Sequence, residues 1–341
     1  WDRYWPAADR PMPDPLWPKA TKAKRATNGY LYSKPIVVGK SAEGRPPHFF
    51  DWAQDPQPES KTADHQVVDW AIGELMQRRP RPFFQAVGIF RPHIPWYAPE
   101  KYFALYPEDK VFLPRVKKDD LGDVPPAGHR GIRKSWHEWL VKNDEWRGAV
   151  RGYLASISFA DAQVGRLLDA LDKSPHAKDT IIVLWSDHGM HIGEKQQWEK
   201  FTLFEESTRV PLMIVAPGVT TSGGVCDRPV NLLDVYPTLN ELCALPARKD
   251  LDGVSLVPLL KNPKSQWDRP TVTTWGRDNH AVRGQRYRYI RHPNGTEQLY
   301  DHQTDPNEFT NLADRPELAA VKTRLTQWLP KTNATPVRNK K

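Results

Sequence analysis

Apolar residues in this chain fall into two alternating patterns. Between residues 65 and 79, Val67, Val68, Ala71, Leu75 and Met76 share one helical face, and Pro80 and Pro82 close the segment. Residues 145–171 repeat the pattern at greater length, with Val150, Tyr153, Leu154, Ile157, Val164, Leu167, Leu168 and Leu171 at helical spacing. A third helix is predicted over 231–245 and a last one over 316–329. Between them lie short unbroken apolar runs at 82–90, 180–185 and 210–216. Strands of that kind are buried on both faces. They predict an α/β fold with a largely parallel sheet and helices on both faces. After residue 265 the pattern changes to short alternating segments, TVTTW, HAVRG, YRYIRH and EQLYDH, with a turn at Asn294-Gly295. A small C-terminal antiparallel α+β subdomain over 265–341 is expected beside a catalytic α/β domain over 1–264.

Composition adds limits. The 341 residues are 39% hydrophobic and 26% charged, enough for a sizeable core. No apolar run approaches the length of a membrane span. The net charge of +8 favours polyanionic partners, but the basic residues are scattered, with short clusters only at 22–25 and 338–341. No nucleic-acid-binding motif accompanies them. Two readings of the charge stay open, a solvated basic surface and an acidic substrate. Cys226 and Cys243 lack metal-type spacing and could form one bridge or none. Residues 1–60 are rich in proline yet carry tryptophans, which points to ordered loop. The long irregular stretch before residue 145 is of the kind that carries function.

In open α/β sheets, ligands bind beyond the carboxyl ends of strands. Asp187 and His188 follow the run ending at Trp185, and His93 follows the run ending at Phe90. An adjacent carboxylate and imidazole can form half of a metal site, and Gly189 lets the chain turn so that they converge. The plain alternative is a capping Asp187 and a packed His188. Lys200, close to Trp198 and Phe201, is either a partly buried ammonium seeking an anion or a snorkelling surface residue. His93 lies between Pro92 and Pro95, a stiff corner with or without a catalytic role. His191 and Glu194 could join the metal shell, against the plainer reading of a packed loop histidine.

The motifs FFQAVGIFRPHIPWYAPEKYF, LWSDHGMHIGEKQQWEKFTLFEESTRVPLMIVAPG, NLLDVYPTLNELCALP, LDGVSLVPLL, AVRGQRYRYI and LYDHQTDPNEFTNLA, with WDRYWP at the start, run nearly the length of the chain. In this order they resemble the carboxyl-terminal two-thirds of a sulfatase of the alkaline-phosphatase-like superfamily, nearest the iduronate-2-sulfatase type. The resemblance implies hydrolysis of a sulfate ester on a sulfated sugar, glycan or small molecule, with one Ca2+ and a formylglycine nucleophile made from a C/S-x-P-x-R motif. It implies that Asp187 and His188 are metal ligands. It also implies that Lys200 contacts the sulfate and helps the leaving oxygen, and that His93 contacts sulfate or substrate. Neither nucleic acid nor membrane is expected as a partner, and a periplasmic or secreted location is. Substrate specificity would sit on the variable loops between residues 96 and 146. The chain departs from the family in lacking C/S-x-P-x-R, the Asp-Asp pair and the Gly-Lys-x-x-His stretch that would precede WDRYWP. The expectation is an N-terminally incomplete sequence, inactive by itself. Two rivals are a phosphoric or phosphonic ester hydrolase of the same superfamily and a non-catalytic binder of sulfated polysaccharide.

Overall fold

In the computed structural model, Arg3, Trp5 and residues 50–335 are described. Most of the first sixty residues and both basic clusters lie outside them. The chain divides into two compact units: residues 1–114 with 134–179, and residues 115–133 with 180–341.

In the first unit, β1 (Trp52–Asp55) pairs in parallel with β2 (Trp96–Pro99). Helix α1 (Ala63–Leu75) starts where the Thr62 hydroxyl accepts from the His65 amide. It ends four residues before the predicted stop, where Arg79 bonds the Glu74 carboxylate and carbonyl. Two short helices follow, α2 (Glu100–Phe103) and α3 (Lys134–Lys142). The long α4 (Trp146–Asp172) matches its prediction to within a residue at each end. Its buried stripe holds Ala149, Gly152, Ala155 and Phe159. Small residues are needed there: a Cβ on Gly152 would run into Trp52 and come within 3.4 Å of Trp96. Ala98, Tyr102, Phe103, Ala155 and Phe159 make the core.

Residues 82–90 correct the prediction. They pair with no strand among the described residues, and Phe84 is 69% exposed. An apolar run reads as a buried strand only if neighbouring strands take up its amides. Here the Phe90 and Arg91 amides donate to the Asp64 carboxylate instead, at 2.7 and 3.1 Å.

In the second unit, β3 (Ile182–Trp185) pairs with β6 (Leu212–Val215) in antiparallel register. The α/β class stands, but these two strands are not parallel. Parallel pairing among the described residues is that of β1 and β2. Between β3 and β6 run the short pair β4 (His191–Ile192) and β5 (Trp198–Glu199), then α5 (Glu205–Thr208). The predicted helix over 231–245 is a single helical turn, Leu232–Asp234, continued by α6 (Val235–Leu242). Asn231 and Asp234 cap it reciprocally. A short α7 (Val257–Lys261) leads to the terminal sheet.

That sheet has four antiparallel strands, β7 (Thr271–Thr274), β8 (His280–Arg283), β9 (Tyr287–Arg291) and β10 (Glu297–Asp301), in the order β10-β9-β8-β7. Its alternation sends Ala281, Ile290 and Tyr300 to one face, against Val124, Leu203 and Phe204. Val282, Tyr289 and Leu299 face the other way, toward Leu325 of α8 (Ala319–Thr326). Both faces are therefore covered. Cys226 and Cys243 are exposed and unbridged.

Candidate functional site

The chain leaves β3 into a turn that holds Asp187 and His188. The Ser186 hydroxyl donates to the His188 carbonyl at 3.0 Å, and the Gly189 amide donates to the Ser207 carbonyl at 2.9 Å. Gly189 is required by space. A Cβ there would collide with the Glu206 carbonyl oxygen and come within 2.9 Å of the Arg209 carbonyl oxygen. The turn is thus pressed against α5 and the residue after it.

Within the turn, the His188 Nδ1–H donates to the Gly189 carbonyl at 2.8 Å. In the neutral ring this leaves the Nε2 lone pair, 3.6 Å from Asp187 Oδ2. The other Asp187 oxygen accepts from the His188 amide at 3.0 Å. One hard oxygen and one imidazole nitrogen therefore converge, and the second ring nitrogen is anchored on a carbonyl, as metal-binding histidines commonly are. The Asp187 side chain is 78% exposed, which suits a group that meets a ligand from solvent. The donor set fits part of a divalent-cation site.

Lys200 is half-buried and held by its neighbours. The fully buried Gln197 side chain donates to the Lys200 carbonyl at 2.7 Å and accepts from the Arg133 amide at 2.6 Å. Glu199 and Phe201, on either side of Lys200, both take the left-handed backbone, φ 69° and 73°. Such conformations cost about 1–3 kcal/mol each and persist only where the surroundings enforce them. Earlier in the same loop lies the buried Lys195. Its ammonium pairs with Asp120 at 2.8 Å, bonds the Glu308 carbonyl, and lies over the Phe204 and Tyr300 rings. Burial raises the Glu199 carboxyl above its ordinary range, against the pull of Arg133, Lys200 and His188. Asp187, His188 and Lys200 all line one open groove of about 2120 Å3.

His93 belongs to the first unit. Its Nδ1–H donates to the Ile94 carbonyl at 2.7 Å, and its ring lies 4.7 Å from that of Phe90. The loop is tied at both sides: Arg91 Nε donates to the Tyr97 carbonyl and Trp96 Nε1 to the Pro92 carbonyl, each at 2.8 Å. Both ring nitrogens of His191 are engaged within the protein. It is fully buried between the Glu194 carbonyl and the Thr202 hydroxyl, and burial pushes it down to about 4.

One cluster has no counterpart among the residues singled out from sequence. Glu205, His302 and Glu308 bring ligand-type atoms within 4.8 Å of one another. Arginines already occupy it. Arg288 bonds Glu205 and, at 2.6 Å, Glu308; Arg283 reaches Glu205 at 3.2 Å. A divalent cation would meet two guanidinium groups there, so the cluster does not fit a metal. Its role is to fasten α5 to the terminal sheet, with Glu308 also accepting from the Glu205 amide at 3.0 Å. DPNE-x-x-NLA is visible in the sequence, but not the burial of its glutamate.

A sulfatase family model matches residues 19–244, and a model described as N-sulphoglucosamine sulphohydrolase, C-terminal, matches residues 193–335. A sulfatase of Formosa agariphila is 42% identical over 289 residues, covering 84% of this chain and 57% of the relative. Human iduronate 2-sulfatase is 34% identical over 217 residues, 59% of this chain and 39% of the relative. The chain spans about half the length of the curated relatives it matches. The phosphonate monoester hydrolase of Agrobacterium radiobacter shares the fold, with a TM-score of 0.70 over 81% of this chain and 61% of that one, at 24% identity.

Proposed function

The chain belongs to the sulfatase family, and from that premise we propose that it forms the cation-binding and leaving-group side of a sulfuric ester hydrolase acting on a sulfated sugar or glycan. The observation that carries this reading is the shared groove of Asp187, His188 and Lys200, each in a locally enforced position. Asp187 and His188 Nε2 would hold a divalent cation, calcium by family likeness. That ion would neutralise sulfate oxygens as a Lewis acid. The Lys200 ammonium would pair with the sulfate and donate a proton to the ester oxygen as the S–O bond breaks, so that the alcohol leaves neutral. His93 would contact the sulfate. Residues 265–341 would form the C-terminal subdomain, and location would be periplasmic or secreted.

No C/S-x-P-x-R motif occurs in these 341 residues. We place the formylglycine in polypeptide outside them, and the residues given are expected to be inactive alone. The test is the coding sequence ahead of the Trp1 codon. An in-frame Asp-Asp pair and C/S-x-P-x-R supports the proposal. A stop codon directly before Trp1 overturns it and leaves a non-catalytic binder of sulfated polysaccharide. An in-frame segment without C/S-x-P-x-R overturns it in favour of the phosphoric or phosphonic ester hydrolase.

A further inference from the structure

Beside Lys200 the second unit carries a surface of alternating rings and cations. The Phe201 ring is 41% exposed and lies 6.4 Å from that of Trp275, tilted by 40°. The Arg133 guanidinium lies over Phe201 at 5.5 Å, the Lys200 ammonium over the same ring at 5.6 Å, and the Arg130 guanidinium over Trp275 at 5.5 Å. Both rings line the same groove as Asp187 and His188.

The arrangement is built. Gly131, at φ 87°, sits between the two arginines, and a Cβ on it would collide with the Phe201 carbonyl oxygen and come to 2.6 Å from the Trp275 ring. Only glycine lets the arginine-bearing turn pass that close to both aromatics. Trp275 is fixed from behind by a chain of buried hydrogen bonds. Tyr300 donates to Gln298, Gln298 to the His292 ring at 2.7 Å, His292 to Asn279 at 2.9 Å, and Asn279 to the Trp275 carbonyl at 3.0 Å. Each member is buried. A satisfied network of this kind fixes what it carries.

We propose that Phe201 and Trp275, flanked by Arg130 and Arg133, form a subsite for an anionic sugar ring: a residue of the glycan that neighbours the scissile sulfate and bears a sulfate or carboxylate of its own. This rests on the sulfatase reading of the groove and names its substrate class. The apolar ring faces would take the sugar's C–H face. Arg133 is paired with the buried Glu199 carboxylate at 2.7 Å and would hold the Phe201 ring in place, while the exposed Arg130 guanidinium would take the sugar's anion, where arginine's forked donors match a planar carboxylate or a sulfate edge. A single-stranded nucleic acid would also stack on such a surface. The continuity with Asp187, His188 and Lys200 favours the sugar.

The test uses the 341-residue chain, a heparin octasaccharide and inorganic sulfate, with binding followed by calorimetry. Phe201→Ala and Trp275→Ala change no charge, so they separate stacking from the attraction of a chain of net charge +8. Each should weaken octasaccharide binding by about 10-fold and leave inorganic sulfate binding unchanged. Phe201→Tyr and Trp275→Phe should restore most of it, which removes misfolding as the cause. Octasaccharide binding that stays within twofold of the parent in both alanine variants would overturn the subsite. So would tighter binding of a single-stranded oligonucleotide than of the octasaccharide. Lys200→Ala distinguishes the two readings. If inorganic sulfate binding survives it, the sulfate site fails, and the aromatic variants still decide the subsite.

Discussion

Replacing Glu308 should unfasten the second unit. Its side chain is 3% exposed and meets Arg288 at 2.6 Å, His302 at 2.9 Å and the Glu205 amide at 3.0 Å. Burial alone would raise this carboxyl, but Arg288, His302 and the amide outweigh it and hold it at about 2. A carboxyl at about 2 when folded and 4.5 when unfolded stabilises the native state by roughly 3 kcal/mol at neutral pH. Independently, removing one partner of a buried ion pair costs about 3–5 kcal/mol. The two figures agree, so Glu308→Gln should lose about 3 kcal/mol in urea unfolding at pH 7. The sign with pH follows from the depressed value. The contribution is complete above 4.5 and fades as pH falls toward 2, so parent and variant should converge in acid. Glu308→Ala adds the loss of packing but keeps the strained backbone at φ 57°. A loss below 1 kcal/mol at pH 7, or a gap as wide at pH 3 as at pH 7, would refute the reasoning.

Gly189→Ala forces the Asp187–His188 turn off α5. It should cost about 1–3 kcal/mol in thermal or urea unfolding, whereas a neutral result would mean the turn is loosely placed. Mild acid acts on buried groups in both directions: Glu206, raised by burial to about 7, takes its proton in the folded chain and gains stability as pH falls, and two buried histidines act the other way. His191 and His137 are buried and pushed down to about 4. Both stay neutral when folded and take a proton when unfolded, so stability is lost as pH falls from 6.5 toward 4. Between pH 7 and pH 5 each should remove about 2 kcal/mol, and His191→Gln should flatten the pH dependence of the urea midpoint by its share.

The long helix at 146–172 and the four terminal strands were legible because their apolar spacing is sustained and their turns carry the expected residues. Residues 82–90 pair with no strand among the described residues, and composition marks an apolar run but not whether a partner strand stands beside it. The same holds for β3 and β6, whose direction depends on partners and not on spacing. Asp187, His188 and Lys200 were singled out from their place after a strand and from the family motifs. What positions them was not. Glu199 and Phe201 adopt a conformation normally reserved for glycine, and nothing in either side chain announces it. Gln197, Arg288 and Glu308 are polar residues at the bottom of the fold, where pattern places apolar ones.

The account turns on Asp187, His188 and Lys200 acting together on a sulfate ester. The direct measurement is turnover of para-nitrophenyl sulfate, first by these 341 residues and then by the gene product that joins them to a C/S-x-P-x-R segment. The account predicts none for the first. For the second it predicts turnover that is abolished by chelation and lowered about 100-fold or more by Asp187→Ala or Lys200→Ala. Turnover by the 341 residues alone, or by the joined protein with Asp187 and Lys200 both replaced, would contradict it.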